Sequence, residues 1–530
     1  MSYGVVWFKR DLRLHDHAAL NQALAGGPVL CLYLIEPSLW SQPDAAAQHY
    51  QFIKDSLREL ALELKQRGGR LYVRTGEAVA VLDELFAMAP FASLHSHEET
   101  GNAATYNRDR AVAAWCRQHQ VRWAESAQFG VVRRLADRDK WLPQWEAHMR
   151  APCHALPALD ATRFQPSPWS RQALPDLQAL GLGAWVPPQR QSGGRSRGEA
   201  VLQEFLLNRC RSYRGGISSP LSAPTACSRL SAHLAYGTLS LREVVQATRS
   251  QIAHLNAQGK GPGTYGAQGL TAFLSRLHWH CHFIQKLESE PELEWRNVHR
   301  GYDGLREPDL NPAHFAALTQ GRTGWPMVDA CVAMLHQTGW LNFRMRAMLV
   351  SVAAYPLWLH WREVGLWLAR EFLDYEPGIH WSQLQMQSGT TGINTTRVYN
   401  PIKQAQDHDP RGVFVRRWLP ALRRVPDAWA FEPWRMPESV QLACGVRVSA
   451  DAAAGAADAW PLPLVDLAAA TRSAKDRLHS LRRTPEVRAG KAAIVEKHAS
   501  RKMQGARAVG VRRSCQTSQA ASAQLSLGFD

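Results

Sequence analysis

The sequence predicts two unlike structural units, an N-terminal α/β unit with a doubly wound parallel sheet and a large all-α unit after it. Residues 1–133 alternate short β-rich apolar runs with amphipathic helical segments, the order typical of parallel sheets. Residues 198–440 show helical patterns without clear strand alternation. The length of 530 residues also exceeds that of one ordinary domain, which favours at least two.

Five apolar runs are the predicted strands of the N-terminal unit. They are GVVWF (4–8), PVLCLYLIE (28–36), RLYVRTG (70–76), FASLHSHEE (91–99) and VRWAESA (121–127). In such sheets, ligands bind at the carboxyl ends of the strands. The segments FKRDLRLHD (8–16) and SHEETGN (96–102) are therefore candidate ligand loops, with ordinary solvated loops as the alternative.

A connector joins the two units, and a basic extension follows the second. Residues 134–197 are rich in Pro, Trp, Gln and Arg, which predicts a long connector over the surface. The extension, residues 441–530, becomes rich in Ala, Arg, Ser and Lys towards its end. Within it we expect helical pieces at 467–484 and 487–503 and disorder at 508–524.

Composition limits the class of protein. The net charge of +16 predicts a polyanionic partner, with nucleic acid as the first expectation. Twenty tryptophans offer flat surfaces on which bases or flavins can stack. The sequence shows no apolar run of membrane-spanning length, no signal-peptide pattern and no CxxC pair among its nine cysteines. We therefore expect a reduced, cytoplasmic protein, and a monomer.

The stretch LHWHCHF (277–283) is rich in residue types that bind metals. His278 and His282 are four residues apart, so they share one face of a helix. Zinc needs three or four ligands, and no second cluster of such residues is evident in the sequence. From the spacing alone, a zinc site and a packed helix are both open.

Five motifs occur in a characteristic order. They are VVWFKRDLRLHDHAAL (5–20), CSRLSAHLAYGTLSLRE (227–243), GRTGWPMVDA (321–330), TGWLNFRMRAM (338–348) and RVYNPIKQ (397–404). Together they resemble the photolyase/cryptochrome family of blue-light flavoproteins, and the resemblance extends to about Asp466. It implies a Rossmann-like antenna domain and a helical FAD-binding domain, in agreement with the two units predicted above.

The resemblance implies a light-driven reaction on DNA. Photolyases of this family flip a pyrimidine dimer out of the duplex into a cavity above the flavin, and an electron from excited, reduced FAD opens the cyclobutane ring. Such a protein must hold FAD, exclude water, stack the flipped bases and bind phosphates, and it requires no metal. The implied partner is DNA that contains pyrimidine dimers.

The resemblance also implies a set of residues around FAD. Hydroxyls and backbone N–H groups of the SRLS run suit the phosphates and the ribityl chain. An Arg–Asp pair and a second acid lie beside the isoalloxazine ring, where a cation favours the reduced anion. The implied cofactor-binding residues are Tyr213, Cys227, Ser228, Arg229, Leu230, Ser231, Phe273, His280, Arg346, Asp374, Tyr375 and Glu376.

A lesion pocket is implied next to the flavin. Trp279 matches the tryptophan that photolyases stack against the flipped dimer, so His278 and His282 become packing residues rather than ligands. The implied DNA-binding residues are Arg276, Trp279, Arg344 and Gln404. This chain departs from many dimer photolyases, because Arg276 replaces a Glu and Phe343 replaces an Asn.

Electron supply to the flavin is implied through tryptophans. Trp361 matches the middle of the family's usual chain, but its usual partners are not aligned, and Leu384 and Met386 stand near two usual tryptophan positions. A path through Trp358, Trp381 or other tryptophans is therefore expected. His380 lies near the usual contact of flavin N5. The implied catalytic residues are Trp279, Trp361, Trp381, Met386 and His380.

The antenna domain and the biological role leave several alternatives open. Glu98 and Glu99 fall near the family's folate-contacting acid, since a carboxylate can pair with the donor-rich edge of a pteridine. Folate, deazaflavin or flavin are all possible second chromophores. We expect a deoxyribodipyrimidine photolyase. The alternatives are a cryptochrome photoreceptor and repair of another lesion such as the 6-4 photoproduct, and a zinc-dependent nucleic-acid enzyme is remote.

Overall fold

The computed structural model of the protein describes residues 3–170, 172–258, 265–393, 397–450 and 458–498. The N-terminal unit contains a five-stranded, all-parallel sheet in the order β3-β2-β1-β4-β5. Its strands are β1 (Gly4–Phe8), β2 (Val29–Ile35), β3 (Leu71–Thr75), β4 (Ser93–His97) and β5 (Arg122–Ser126). Each lies within one of the five predicted runs, and the doubly wound sheet is confirmed.

Helices cover both faces of this sheet. They are α1 (Ala18–Ala25), α2 (Pro37–Trp40), α3 (Ala47–Gln66), α4 (Ala78–Met88) and α5 (Ala103–Gln118). Side chains of β1 alternate between two apolar layers, with Val6 and Phe8 in one and Val5 and Trp7 in the other. The strand order reverses between β1 and β4, so the ends of these two strands form the crevice of the sheet.

The second unit is helical, as predicted. Its helices are α6 (Trp141–Arg150), α7 (Arg195–Glu204), α8 (Cys210–Gly216), α9 (Ala223–Ala226), α10 (Ser231–Ala235), α11 (Leu241–Ala257), α12 (Tyr265–Ser289), α13 (Pro312–Thr319), α14 (Pro326–Thr338), α15 (Phe343–Ala354), α16 (Trp361–Glu371), α17 (Pro377–Ser388), α18 (Pro401–His408), α19 (Val413–Trp418) and α20 (Glu438–Cys444). Among the described residues, no helix combines the length and apolar character that crossing a bilayer requires.

The segment predicted as a connector contains regular structure. Helix α6 forms there because Trp141, Trp145 and Met149 recur at a spacing of four and are buried against the helical unit. The rest of the segment runs along the sheet, where Phe164 bridges to Val29 at the start of β2. The two units also meet at Arg10, which donates to the carbonyl oxygens of Ala235 and Tyr375.

The C-terminal extension folds back onto the helical unit. A short pair of strands, β6 (Arg447–Ser449) and β7 (Ala459–Pro461), precedes α21 (Leu467–Arg482) and α22 (Pro485–His498). Leu478 of α21 and Val487 of α22 are buried in one cluster with Tyr302 and Tyr355. Both helical pieces predicted here therefore form helices within the described residues, whereas the predicted disordered stretch 508–524 lies outside them.

Candidate functional site

A deep cavity opens in the helical unit. Its walls come from residues between 213 and 235, from α12, from residues 340–350 and from residues 368–387. All twelve residues that the resemblance implies for FAD lie on its walls: Tyr213, Cys227, Ser228, Arg229, Leu230, Ser231, Phe273, His280, Arg346, Asp374, Tyr375 and Glu376. The tertiary structure thus brings four distant parts of the chain to one site.

One face of α12 forms a wall of this cavity. Phe273, Arg276, His280 and Phe283 follow at steps of three or four residues, so they point the same way. Trp279 lies beside them, and its ring stacks on that of Phe283 with centroids 5.6 Å apart and planes at 28°. This pair gives the cavity a flat apolar surface.

The two flanking histidines of LHWHCHF lie on the other side of α12. The ring of His278 contacts those of Trp141 and Trp145, and His282 accepts a hydrogen bond from Arg138 at Nδ1. Burial lowers the pKa of both imidazoles. In the described part of the chain, three metal-type side chains come together elsewhere, at Asp11, His17 and His97 in the crevice of the sheet.

A shaped loop supplies the polar end of the cavity. Its residues, 227–231, include Arg229 at φ 60°, a left-handed conformation that is uncommon for a residue with a side chain. The Arg229 guanidinium lies 3.8 Å above the ring of Trp340. Trp340 reaches this position because Gly339, at φ 64°, ends α14 immediately before it.

Side chains behind this loop hold its carbonyl groups. Arg209 donates to the carbonyl oxygens of Cys227 and Ser228, and Gln191 donates through Nε2 to that of Arg229 at 3.0 Å. Arg209 ends a π-helical turn, Phe205–Arg209, between α7 and α8. Such turns are rare and often mark functional sites. With their carbonyl groups engaged behind the loop, these residues keep a fixed backbone orientation towards the cavity.

An arginine–aspartate pair lines the same cavity. Arg346 donates to both carboxylate oxygens of Asp374, at 3.0 and 2.9 Å, and through Nε to the carbonyl oxygen of Leu341. Burial alone would raise the pKa of Asp374, but the Arg346 guanidinium outweighs it and the pKa lies below its usual value. The pair therefore stays ionised, and its bidentate geometry fixes the guanidinium.

A second acid, Glu376, faces the same cavity, and its pKa is shifted in the opposite direction from that of Asp374. Glu376 lies directly before Pro377, which occupies the first position of α17. Burial raises the pKa of Glu376 to about 7, although Arg10 lies 3.0 Å away and opposes the shift. The Arg10 contact is an ion pair without hydrogen-bond geometry, so both carboxyl oxygens lack a hydrogen bond from the described residues. A bound group with N–H or O–H donors would satisfy them.

His380 on α17 presents a defined tautomer to the cavity. Its Nε2 lies 2.8 Å from the carbonyl oxygen of Gly365, which can only accept, so Nε2 carries the proton. Burial lowers the pKa of His380 to about 4, and the ring is neutral near pH 7. Its Nδ1 is then an acceptor. The combination of cation, acid, acceptor and aromatic walls suits a planar ring with several polar edges, as in a flavin.

Two predicted electron-transfer residues lie behind this wall. The Trp381 ring contacts both His380, at 4.9 Å between centroids, and Trp361, at 5.9 Å. Trp361 donates through Nε1 to Asn297. Trp358 lies towards the extension, where its ring contacts Arg306 and Arg477. Neither Trp361 nor Trp381 lines the cavity itself.

Other predicted residues fall outside the cavity. Its α17 wall consists of Ile379, His380, Gln383, Leu384 and Gln387, a helical face that does not include Met386. Met386 therefore lies off this wall, and its catalytic role stays a prediction. Gln404 is likewise not part of the wall and is buried on α18, whereas Arg276 and Arg344 both line the cavity as predicted.

The two predicted antenna residues are already engaged within the sheet unit. Glu99 accepts from Arg108 at 2.7 Å and from the backbone N–H groups of Thr100 and Gly101. Glu98 lies 3.8 Å from Arg133, and burial raises the pKa of its carboxyl group. A chromophore that used these acids would compete with the two arginines.

Sequence reasoning missed several wall residues. Phe283, Trp340, Phe372, Gln383 and Gln387 line the cavity without having been singled out. The spacing of Phe283 from Phe273, Arg276 and His280 was a signal that could have identified it. Trp340 and Phe372 follow helix ends, so only the path of the chain in space shows where they point.

Comparison with known proteins agrees with this geometry. The family model described as DNA photolyase matches residues 4–132, and the one described as the FAD binding domain of DNA photolyase matches residues 273–480. The deoxyribodipyrimidine photo-lyase of Streptomyces griseus is 29% identical over 453 residues, 82% of this chain and 93% of that protein. Cryptochrome DASH of Gloeobacter violaceus is 27% identical over 496 residues, 87% of this chain and 93% of that protein.

A solved structure is also similar. The bacterial class III photolyase from Agrobacterium tumefaciens superposes with a TM-score of 0.76 at 25% identity, covering 91% of this chain and 98% of its own. The fold and cavity define a two-unit flavoprotein, with a parallel-sheet unit and a helical FAD-binding unit. The chain belongs to the photolyase/cryptochrome family. FAD as the cofactor, predicted from the motifs, is confirmed at the level of this family.

Proposed function

We propose that this protein is a light-driven DNA repair enzyme that splits cyclobutane pyrimidine dimers. The observation that carries the proposal is Trp279 on the cavity wall, stacked on Phe283, with Arg276 and Arg344 lining the same cavity. Aromatic surfaces hold flipped bases by stacking, and arginines bind the phosphates that flank them. Several relatives at similar identity carry the name deoxyribodipyrimidine photo-lyase, which supports the same substrate class.

The residues on the walls suit bound FAD. The loop 227–231 with Arg229 would hold the diphosphate and ribityl parts, and the Arg346–Asp374 pair with Glu376 would bind polar groups of the ring system. Reduced FAD, when bound and excited by light, supplies the electron that opens the cyclobutane ring. The chain's own part is to hold the ring system, keep the Arg346 charge beside it, and exclude water with Phe273, Phe283 and Trp340.

His380 and Trp381 are proposed to serve the cofactor from α17. His380 offers Nδ1 as a hydrogen-bond acceptor, because Gly365 holds its proton on Nε2. Trp381 touches His380 and continues to Trp361, which gives a buried aromatic route away from the cavity. We assign this route to the supply of electrons that keeps the cofactor reduced.

Repair is tested directly by the return of thymine absorbance. Purified protein, reduced and loaded with FAD, is illuminated with blue light in the presence of an oligonucleotide that contains one cyclobutane dimer. A rise in absorbance near the thymine band, absent in the dark and with undamaged DNA, is the expected result. No rise under light, at protein concentrations that bind the oligonucleotide, would reject dimer repair. The same assay with a 6-4 photoproduct tests the alternative lesion.

A photoreceptor role is the second candidate. It is favoured by Arg276 and Phe343 in a cavity where many dimer photolyases have Glu and Asn, and by helices α21 and α22 packed beside the helical unit. A receptor of this type would change the packing of α22 on illumination. Light-dependent hydrogen exchange in 485–498, together with absent repair, would favour signalling. Unchanged exchange together with dimer repair would favour the enzyme.

A further inference from the structure

The C-terminal helices α21 and α22 carry a strong positive charge. Residues 467–498 contain eight Lys and Arg against three Asp and Glu. The photolyase family model ends at residue 480, so α22 lies beyond the matched part of the chain. This basic element is folded against the helical unit that holds the cavity, and the shared fold does not explain it.

Contacts in the first half of α22 fix it to the helical unit. The carbonyl oxygen of Val487 lies 2.8 Å from Nε2 of His299, and the Val487 side chain is buried beside Tyr302. Gly490 passes so close to the His299 ring that a Cβ there would lie 3.0 Å from it. The helix is therefore seated by shape as well as by a hydrogen bond, and its second half has a fixed direction.

That direction brings the end of α22 to the back of the cavity wall. Glu290, just after α12, pairs with Lys497 at 2.9 Å and with His498 at 2.6 Å. His498 lies close to His282 and Lys286 of α12. The charge of His498 contributes to lowering the pKa of His282, and Lys286 contributes to lowering the pKa of His498. The His282 ring in turn lies 4.8 Å from that of Trp279, on the cavity wall. We call Lys286, His282, Lys497 and His498 the rim cluster.

Among the described residues, the Lys286 ammonium has no ion-pair partner and one N–H group of His282 has no acceptor. Lys286 lies over the Phe283 ring at 5.2 Å and makes no ion pair within the described chain. Burial, together with nearby Arg138, lowers the pKa of Lys286 to about 8. His282 accepts at Nδ1, so its buried Nε2 carries a hydrogen, and that donor has no partner among the described residues. Lys497 and His498 share the carboxylate of Glu290, which Arg300 also approaches at 3.8 Å.

We propose that the rim cluster binds backbone phosphates of DNA beside the cavity, and that α22 is an added DNA-binding element of this chain. Phosphate oxygens would accept from Lys286 and Lys497 while the lesion stacks on Trp279. The inference rests on the proposed function for the identity of the polyanion. Phosphate contacts position DNA without reading its sequence, so the element serves damaged and undamaged DNA alike.

The test is the salt dependence of DNA binding. Each phosphate contact contributes about 0.9 to the slope of log affinity against log salt on duplex DNA. The double variant Lys286→Gln/Lys497→Gln should lower the magnitude of the slope by about 1.8 on an undamaged duplex between about 50 and 200 mM salt. The matched control Lys54→Gln/Lys65→Gln removes two charges from α3 of the sheet unit and should leave the slope unchanged.

The single variant Lys286→Gln tests the proposal without changing a residue of the C-terminal extension. Lys286 makes no hydrogen bond or ion pair with α22 among the described residues, so Lys286→Gln should lower the slope by about 0.9 with an unchanged melting temperature. Equal slopes for wild type, Lys286→Gln and the α3 control would overturn the proposal. The repair assay on wild type reports separately on the proposed function. If the wild type repairs dimers and the salt slope of Lys286→Gln is unchanged, the rim-cluster proposal is rejected and the proposed function is retained.

Discussion

The rings of Trp361 and Trp381 lie edge to face, with centroids 5.9 Å apart and planes at 74°, and both side chains are buried. Trp381 comes from α17, whose neighbouring residue His380 lines the cavity, and Trp361 begins α16. The contact joins the cavity wall to the far side of α16 through two adjacent indole rings. Under the proposed function, this pair is the buried aromatic route between the cavity wall and α16.

Substitution of either ring should slow reduction of the oxidised cofactor by light. We expect Trp361→Phe and Trp381→Phe to show slower photoreduction with an external electron donor, because each removes one indole of the route. Repair by protein that is already reduced should be nearly unchanged, since it does not use the route. Absorbance of the flavin under constant light measures the first property. Trp367→Phe, in the same helix α16, is the control, and equal rates in all four proteins would show that electrons bypass this pair.

Trp279 should contribute selectively to lesion binding. Removing one base–aromatic contact in Trp279→Ala costs about 1–3 kcal/mol. This corresponds to about 5- to 150-fold weaker binding of dimer-containing DNA. Binding of undamaged DNA and its salt slope should barely change, because they depend on phosphates. Fluorescence anisotropy with both oligonucleotides measures the difference, with Trp295→Ala, on the surface after α12, as the control.

A loss of the same size on damaged and undamaged DNA would contradict this role of Trp279. If it came with a lowered melting temperature, the side chain would be a packing residue on Phe283 and His282 instead. Truncation of a buried aromatic side chain costs about 3–5 kcal/mol of stability.

Arg209 should position the loop that faces the phosphate end of the cofactor. Arg209→Ala removes charge-assisted hydrogen bonds to the carbonyl groups of Cys227 and Ser228, each worth about 1.5–3 kcal/mol. Loss of one such bond would weaken FAD binding about 10- to 150-fold. Binding of riboflavin, which lacks the diphosphate, should change much less. Titration of apoprotein with the two flavins, followed by flavin fluorescence, measures the ratio.

The conservative variant Arg209→Lys should recover part of the FAD affinity, since a lysine can still reach one of the two carbonyl groups. If Arg209→Ala weakened FAD and riboflavin by the same factor, Arg209 would act on the fold in general. General destabilisation of the fold would weaken the binding of FAD and riboflavin equally, because it would affect both ends of the cofactor site.

Glu376 should make the apoprotein less stable as the pH rises through neutrality. Its pKa is about 7 in the folded state and near 4.3 in the unfolded chain, so the folded state holds a proton that the unfolded state has lost. The resulting stability is fully present below pH 4.3 and is lost as the pH rises through 7. Between pH 6 and 8 the expected loss is on the order of 1 kcal/mol.

Glu376→Gln should abolish this part of the pH dependence, as measured by denaturant unfolding of apoprotein at pH 6 and 8. The buried carboxyl group of Asp329 also has a pKa raised to about 7, so it contributes the same pH dependence of stability to both proteins. The variant and wild type would lose the same stability over this range if the carboxyl group of Glu376 stayed ionised throughout.

Local patterns in the sequence determined the elements and much of the site. Strand-length apolar runs separated by amphipathic helices specify a parallel sheet, because strands of one direction need helical crossovers. The SRLS run and the acids at 374 and 376 could be identified because each lies within a short motif. Phe273, Arg276 and His280 on α12 were implied by the family resemblance, and their spacing agrees with one helical face.

The tertiary structure decided every feature that joins distant parts of the chain. Sequence spacing could not show that Trp381 meets Trp361, that Arg209 holds Cys227, or that Glu290 receives the end of α22. Nor could spacing show that Met386 lies off the cavity wall, because matching positions along a chain does not fix which face of a helix points inwards. Contacts of this kind arise from packing between elements, whose relative placement depends on the whole core rather than on neighbouring residues.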